Sequence, residues 1–442
     1  MSLHQQDTTP SHVLDIDDFS NGIVSQMISN LPKQFPHSQS CENGILVYDS
    51  NMIGNENNET QKLINLEIIR ALGMNGPGCV VVKNTFTINE MNEWNHWIQN
   101  EFQIQKQNDG FGKKKDHFSK DNLRIWHIPE KMMNPKPMII KDQNKAEEEN
   151  DDEKEEKEEE DPKKLLPQRL LVDFLTNNKM SSIIDGFLGQ YHIGSLAVNE
   201  VIPNGKAQNT HTDYPPGFYN KIHIKNIFSQ NHLENIMPYF SLQAGVAVTE
   251  FNKENGATEM IPFSHRIIDN DYNILPTPTT PINNDHEEKK TNKKMKTIAN
   301  EGKGRPLSEI MEPFMITVIS KLPKGSVIYF NRKLLHRGGE NKTNKGRTAI
   351  LLQAIMPFGV KMETVDHKVC MEGLDQWIHT SNTSSSTSVS SSAIENKMMS
   401  HDDDENKKQG INSDQYELLK YRFQGPSFPR DLDQSQVDEE NS

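Results

Sequence analysis

The chain has 442 residues, of which 33% are hydrophobic, and a formal net charge of -14 from 48 basic and 62 acidic residues; its mean hydropathy is -0.75. That length allows one large domain or two small ones, but so little apolar sequence leaves much of the chain outside any core, which favours a single core. Twelve acidic residues and two lysines fall between Glu147 and Asp161, so the remainder is close to neutral and no nucleic-acid partner is expected.

In chain order, residues 1–60 read as a partly disordered N-terminal extension, and a main domain is expected over 61–360. Leu63 to Leu72 carries apolar residues at helical spacing, Gly78-Cys-Val-Val-Val82 reads as a buried strand, and Asn89 to Ile98 repeats Met91, Trp94, Trp97 and Ile98 at intervals of three to four. His117, Phe118, Arg124, Trp126 and His127 form a mixed polar and aromatic cluster. The acidic run, within an insertion near 142–164, reads as a solvated loop, because like charges repel and oppose ordering. Leu165 to Phe174 returns to helical spacing. Val246 to Glu250 and Thr258 to Ile261 read as strands joined by the turn signal Asn255-Gly256. A second flexible insertion is expected at 277–306, which surface loops tolerate because closure entropy grows slowly with length. Gly325 to Phe330 and Arg347 to Gln353 are short β-branched and aromatic runs. A C-terminal extension, 361–442, is expected to hold a Ser-rich disordered linker over 380–410 and a short helix over 414–424.

Against that background, His211 and Asp213 lie one residue apart, His336 follows the strand ending at Phe330, and Arg347 opens the next strand. In extended backbone, residues i and i+2 point to one side, so His211 and Asp213 reach a common ion while Thr212 turns away. Two imidazoles and one carboxylate on one face of an octahedron, with open positions opposite, form the ligand set of non-haem Fe(II) oxygenases. Returning beside His336, the Arg347 guanidinium suits the far carboxylate of a dicarboxylate co-substrate through two parallel hydrogen bonds. A His-x-Asp triplet alone is more often a surface turn, and a lone strand-end His is more often a satisfied polar residue. The ordered combination of all four is what points to a site.

The segment Asn255-Gly-Ala-Thr-Glu-Met-Ile-Pro-Phe-Ser264-His265-Arg266 resembles a block of the phytanoyl-CoA dioxygenase family of Fe(II)/2-oxoglutarate oxygenases. Gly325 to Asn341 resembles the family's strand, histidine ligand and Gly-rich turn, and Leu72 to Val82 with Phe86-Thr-Ile-Asn-Glu90 resembles its N-terminal opening. The resemblance implies that His211, Asp213 and His336 hold Fe(II) and that Arg347 binds the C5 carboxylate of 2-oxoglutarate, with O2 as second co-substrate. Arg124, Trp126, Tyr214 and Ser264 are candidate substrate or pocket-lining residues. The implied fold is mainly β with flanking helices, a double-stranded β-helix or cupin-like jelly roll with disordered insertions. Asp213 disfavours halogenation, because related halogenases lack that carboxylate and put a halide in its place.

The expected activity is oxidation of an unactivated C–H bond of a small-molecule substrate by hydroxylation, desaturation or oxidative cyclisation, in specialised metabolism. Two alternatives stay open: an acyl-CoA or lipid α-hydroxylase, for which Lys289 to Lys296 is the only dense basic cluster, and a catalytically silent binding module of the same fold. Cys41, Cys79 and Cys370 are far apart and show no metal-binding spacing, which fits a reducing compartment. Without a signal pattern, a membrane-length apolar stretch or a Ser-Lys-Leu type ending, the expected location is cytoplasmic.

Overall fold

The computed structural model describes residues 14–53, 58–109, 121–134, 166–213, 239–267, 307–356, 367–386 and 412–423. The strands are β1 (Ser40–Glu42), β2 (Ile45–Asp49), β3 (Cys79–Lys83), β4 (Asn122–Ile125), β5 (His192–Val201), β6 (Ser241–Ala247), β7 (Phe251–Asn252), β8 (Thr258–Met260), β9 (Ile316–Thr317), β10 (Lys321–Leu322), β11 (Val327–Asn331), β12 (His336–Gly338) and β13 (Arg347–Ile355). The helices are α1 (Ile16–Ser20), α2 (Ile23–Gln34), α3 (Glu59–Leu72), α4 (Ile88–Asp109), α5 (Ile128–Met133), α6 (Leu166–Leu175), α7 (Asn178–Leu188), α8 (Leu307–Met311), α9 (His367–Ser386) and α10 (Ser413–Phe423).

An eight-stranded sheet runs β1-β2-β3-β11-β6-β13-β5-β4, and a three-stranded sheet runs β12-β8-β9. An isolated antiparallel bridge between His211 and His336 extends the smaller sheet by one more segment. Along the chain the strands cross between the two: β5 in the large sheet, the His211 segment in the small one, β6 in the large, β8 and β9 in the small, then β11 large, β12 small and β13 large. That winding is the double-stranded β-helix, and it confirms the expected mainly β fold with flanking helices.

The central strands show why these residues make this architecture. On β13, Ile350, Leu352 and Ala354 pack into the apolar layer shared with the helices, while Arg347, Ala349, Leu351 and Gln353 line a cavity between the sheets. On β6, Leu242, Ala244 and Val246 face the helices, and Gln243 and Gly245 face the cavity. Both faces of these strands are therefore buried, and period-two alternation sorts greasy residues to one side and mixed residues to the other. The helical layer is built as the spacing predicts. Met91, Trp94, Trp97 and Ile98 of α4 are buried, and Trp94 meets Phe174 of α6 at 5.3 Å. Each such side chain contributes on the order of 1.5–3 kcal/mol relative to exposure.

Two expectations about boundaries are corrected. Residues 14–53, read as part of an N-terminal extension, join the main domain: β2 pairs in parallel with β3 inside the main sheet, and Leu31 and Phe35 at the end of α2 are buried. The reason is the run Ile45-Leu-Val-Tyr48, four fully buried residues that need a sheet to cover them. At the other end, α9 continues to Ser386, into the stretch read as a linker from 380. Its first turns are anchored by buried Cys370, Leu374 and Trp377, and extending a nucleated helix is far easier than starting one. The expected insertions at 142–164 and 277–306 lie outside the described residues, as do Tyr214, His117 and Phe118.

Candidate active site

A turn at Asn331-Arg-Lys-Leu334 carries the chain from the large sheet to the small one: Leu334 N–H donates to the Asn331 carbonyl at 2.9 Å, and Lys333 N–H donates to the Asn331 side chain at 3.1 Å. It sets His336 on β12 opposite His211. The two residues exchange backbone hydrogen bonds, His211 N–H to the His336 carbonyl and the reverse, both at 2.9 Å. Their rings lie 4.6 Å apart at 50°. Asp213, one pleat further, brings its carboxylate to the same point: Oδ1 is 3.8 Å from His211 Nε2 and Oδ2 is 3.4 Å from His336 Nε2. One donor atom from each residue falls within 4.8 Å of the other two.

Both imidazoles are locked in a ligand tautomer. His211 Nδ1 faces the Asn209 carbonyl at 2.7 Å and His336 Nδ1 faces the Leu334 carbonyl at 2.9 Å. A carbonyl oxygen only accepts, so each Nδ1 carries the hydrogen and each Nε2 presents a lone pair toward Asp213. Such backbone acceptors behind the ligand rings fix orientation and raise donor strength in metal sites. Burial and the neighbouring His336 push the His211 imidazole down to about 4, against the pull of Asp213. Burial works to raise the Asp213 carboxyl, yet His336, His211 and Arg332 together hold it below the usual carboxylate range. At neutral pH these two groups are thus already in the protonation states a divalent cation requires.

Arg347 begins β13 and is 2% exposed. Its Nε and Nη2 donate to the Gly256 carbonyl at 3.0 and 2.8 Å, and its guanidinium carbon stands 4.6 Å over the Phe251 ring. Burial brings it down to about 10, opposed by Glu200, so it keeps its charge at neutral pH. His211, Asp213, His336 and Arg347 all line one cavity with Arg124 and Trp126. Arg124 stands on β4, in register with Asn199 of β5, and its guanidinium stacks over Trp126 at 5.2 Å. The fold therefore brings together six of the eight candidate residues.

Ser264 is placed elsewhere. It is 3% exposed, is absent from the cavity wall, and its Oγ accepts a hydrogen bond from Leu335 N–H at 2.8 Å. Its work is to brace the approach to His336. The eighth candidate, Tyr214, is outside the described residues.

The sequence reading also passed over residues that the structure ties to the site. Arg332 donates through Nη2 to the Asp213 carbonyl oxygen, while Asp213 N–H donates back to the Arg332 carbonyl at 3.0 Å. The available signal was an arginine four positions before the histidine, in the polar stretch Asn331-Arg-Lys333 between two apolar runs. Gly256, read only as a turn residue, supplies the acceptor that orients Arg347. Ser195, Asn199, Gln243 and Gln353 line the cavity too, each a polar residue within a strand that reads as apolar, as does Gln208 from the polar stretch before His211.

The model of the family described as Phytanoyl-CoA dioxygenase (PhyH) matches residues 74–349, a span that includes the triad, the turn before His336 and Arg347. The chain belongs to this family. A curated relative of this phytanoyl-CoA dioxygenase family member, Dioxygenase trt7 from Aspergillus terreus, is 26% identical over 188 residues, which is 41% of this chain and 49% of that protein. The chain thus spans about half the length of the curated relative it matches. Among solved structures, AviO1 from Streptomyces viridochromogenes Tue57 aligns at 11% identity over 67% of this chain and 96% of its own, with a TM-score of 0.39. The non-heme alpha ketoglutarate dependent carbocyclase SnoK from nogalamycin biosynthesis aligns at 14% identity over 66% and 83%, also at 0.39. No helix among the described residues is long and apolar enough to cross a membrane.

Proposed function

We propose that this family member is an Fe(II)- and 2-oxoglutarate-dependent dioxygenase that oxidises an unactivated C–H bond of a small molecule in the cytoplasm. The observation that carries the proposal is the convergence of the His211 and His336 Nε2 atoms on the Asp213 carboxylate, in a cavity whose wall also holds the buried Arg347. His211, Asp213 and His336 would hold Fe(II); their donor set and locked tautomers fit that ion, and three protein ligands leave positions for co-substrates. Bound there, Fe(II) supplies O2 activation coupled to decarboxylation of 2-oxoglutarate to succinate and CO2.

The protein's own groups account for positioning. Arg347, held from behind by Gly256 and from one face by Phe251, would take the C5 carboxylate through its remaining donors. Because Arg347 shares the cavity with the triad, the keto acid's other end would be free to reach the metal ligands. The Arg332 clamp fixes the backbone of Asp213, and Ile328, Phe330 and Leu351 give the cavity an apolar wall against which a substrate's C–H bonds would pack.

For this site, incubation of iron-loaded protein with 2-oxoglutarate and a substrate panel should release succinate, and Asp213→Ala should abolish it. Full succinate release by Asp213→Ala would sink the assignment. The acyl-CoA reading has less support, because the described cavity wall offers only Arg124 and Arg347 as cations, and Lys289 to Lys296 lies outside the described residues.

A further inference from the structure

Four central strands of the large sheet place their cavity-facing residues in level rows. Ser195, Gln353, Gln243 and Phe330 form one row across β5, β13, β6 and β11, since Gln353 is in register with both Ser195 and Gln243, and Gln243 with Phe330. The next row, Ala197, Leu351, Gly245 and Ile328, is apolar, with two small members that leave space over the sheet. All eight residues line the cavity. Arg347 lies six residues from Gln353 along β13, roughly 20 Å in extended backbone, so the carboxamide row and the arginine occupy opposite ends of the same wall.

The carboxamides are built in and unanswered. Gln243 is 1% exposed and Gln353 is 6% exposed, yet neither side-chain oxygen meets a donor among the described residues. Burying such a group without a partner is unfavourable, and an apolar residue would pack the position better. The β13/β5 ladder also shifts register between Gln353 and Ala354, an irregularity of the kind that re-aims side chains beside binding sites. The row ends at Phe330, whose ring is 4.7 Å from that of His336.

Resting on the oxygenase reading above, we propose that Gln243 and Gln353 recognise the substrate, and that the substrate is an uncharged molecule with an apolar body and a hydroxyl held between the two carboxamides. Each amide presents an acceptor oxygen and a donor NH2, whichever way it is turned. A hydroxyl donates to one carboxamide oxygen and accepts from the NH2 of the other, so it bonds both side chains. A carboxylate only accepts and leaves the amide oxygens orphaned, and an ether does the same. The neighbouring Ala197, Gly245, Ile328 and Leu351 row receives the apolar body.

The test uses the full-length protein and three compounds of one shape: cyclohexylmethanol, its methyl ether and cyclohexanecarboxylate, followed by ligand-observed saturation-transfer NMR at millimolar concentration. Cyclohexylmethanol should give the strongest signal, weakened about ten-fold or more in Gln243→Met and Gln353→Met. Equal binding of the three compounds, no binding of the alcohol, or variants that bind it as the parent does would each overturn the proposal. Thermal melting without ligand separates recognition from folding: both variants should melt at or above the parent temperature, and a clear fall would mean that the amides are bonded within the chain. An anaerobic 2-oxoglutarate titration of the Fe(II) protein should be unchanged in the variants, whereas a ten-fold weaker response would assign the amides to the co-substrate instead. Binding and melting need neither iron nor 2-oxoglutarate, so their failure is distinct from failure of the oxygenase reading.

Discussion

His211 and His336 can serve as donors to a metal because each has committed its other ring nitrogen to the backbone two residues before it, at Asn209 and Leu334. That local hydrogen bond needs no distant partner, so a substitution that keeps the backbone removes only the donor. Replacing His211 or Asp213 by Ala should abolish Fe(II) binding, read by equilibrium dialysis, while leaving the melting temperature near that of the metal-free parent. Since burial holds His211 at about 4, a competing proton is absent at neutral pH. Proton competition at His211 itself should therefore begin only as pH approaches 4, read from its imidazole NMR signals in the metal-free protein; a His211 signal that titrates near about 6.5 would contradict the buried geometry. Arg347→Ala removes charge-assisted hydrogen bonds worth about 1.5–3 kcal/mol, so the 2-oxoglutarate KM should rise roughly 10- to 150-fold with the triad intact. These four residues were legible because the pattern depends on spacing and order alone. Gln243 and Gln353 were not, because a polar residue in an apolar run has no meaning until the register shows which side of the sheet it faces, and Arg332 was not, because it lies in a turn whose partner, Asp213, only the fold brings near.

The elements divide in the same way. Long helices and the strands at 79–83, 327–331 and 347–355 declare themselves through periodicity, and β8 through the turn signal before it, whereas β9 and β12 have two or three residues each and carry no readable pattern. Yet the small sheet delivers His336 and, through its bridge, His211. Its placement depends on turns, and two glycines in those turns are indispensable. Gly325 has φ +82, and a Cβ there would meet the Phe86 carbonyl oxygen at 2.2 Å. Gly256 has φ +83, a Cβ would lie 2.8 Å from the Gly339 carbonyl oxygen, and its own carbonyl holds Arg347. Gly325→Ala should lose about 1–3 kcal/mol of stability in urea melts with 2-oxoglutarate affinity preserved in the folded fraction. Gly256→Ala should lose both stability and co-substrate affinity. If Gly256→Ala destabilised without weakening 2-oxoglutarate binding, the carbonyl's role in aiming Arg347 would be wrong.

At the scale of the whole molecule, the β-helix barrel is extended by residues that the sequence pattern assigned to an extension. β1 and β2 lengthen the large sheet beyond β3, and Leu14 bridges to Ile267, next to the Ser264 turn that braces Leu335. The run Ile45 to Tyr48 was the readable sign of this, but four apolar residues do not say which sheet will cover them. The fold also binds stability to pH. His265 is fully buried beside Gly78, its Nε2 set against the Gly73 carbonyl at 3.1 Å, and burial pushes it down to about 3. A histidine depressed in the folded state favours folding above its unfolded pKa of about 6.5. That contribution is lost as pH falls toward 3, because the unfolded chain takes the proton first. The unfolding free energy of the metal-free protein from urea melts should drop between pH 7 and pH 5 by up to about 1.4 kcal/mol per pH unit from this residue, and less steeply in His265→Asn.

The central proposal for the molecule is that the triad and Arg347 jointly hold Fe(II) and 2-oxoglutarate. The most direct measurement is an anaerobic visible spectrum of the purified protein as Fe(II) and then 2-oxoglutarate are added. The geometry predicts a weak charge-transfer band on addition of the keto acid, saturating in the parent, absent in His336→Ala and requiring more 2-oxoglutarate in Arg347→Ala. A folded, iron-loaded protein that shows no band at saturating 2-oxoglutarate would contradict the account and leave a barrel that binds without turnover.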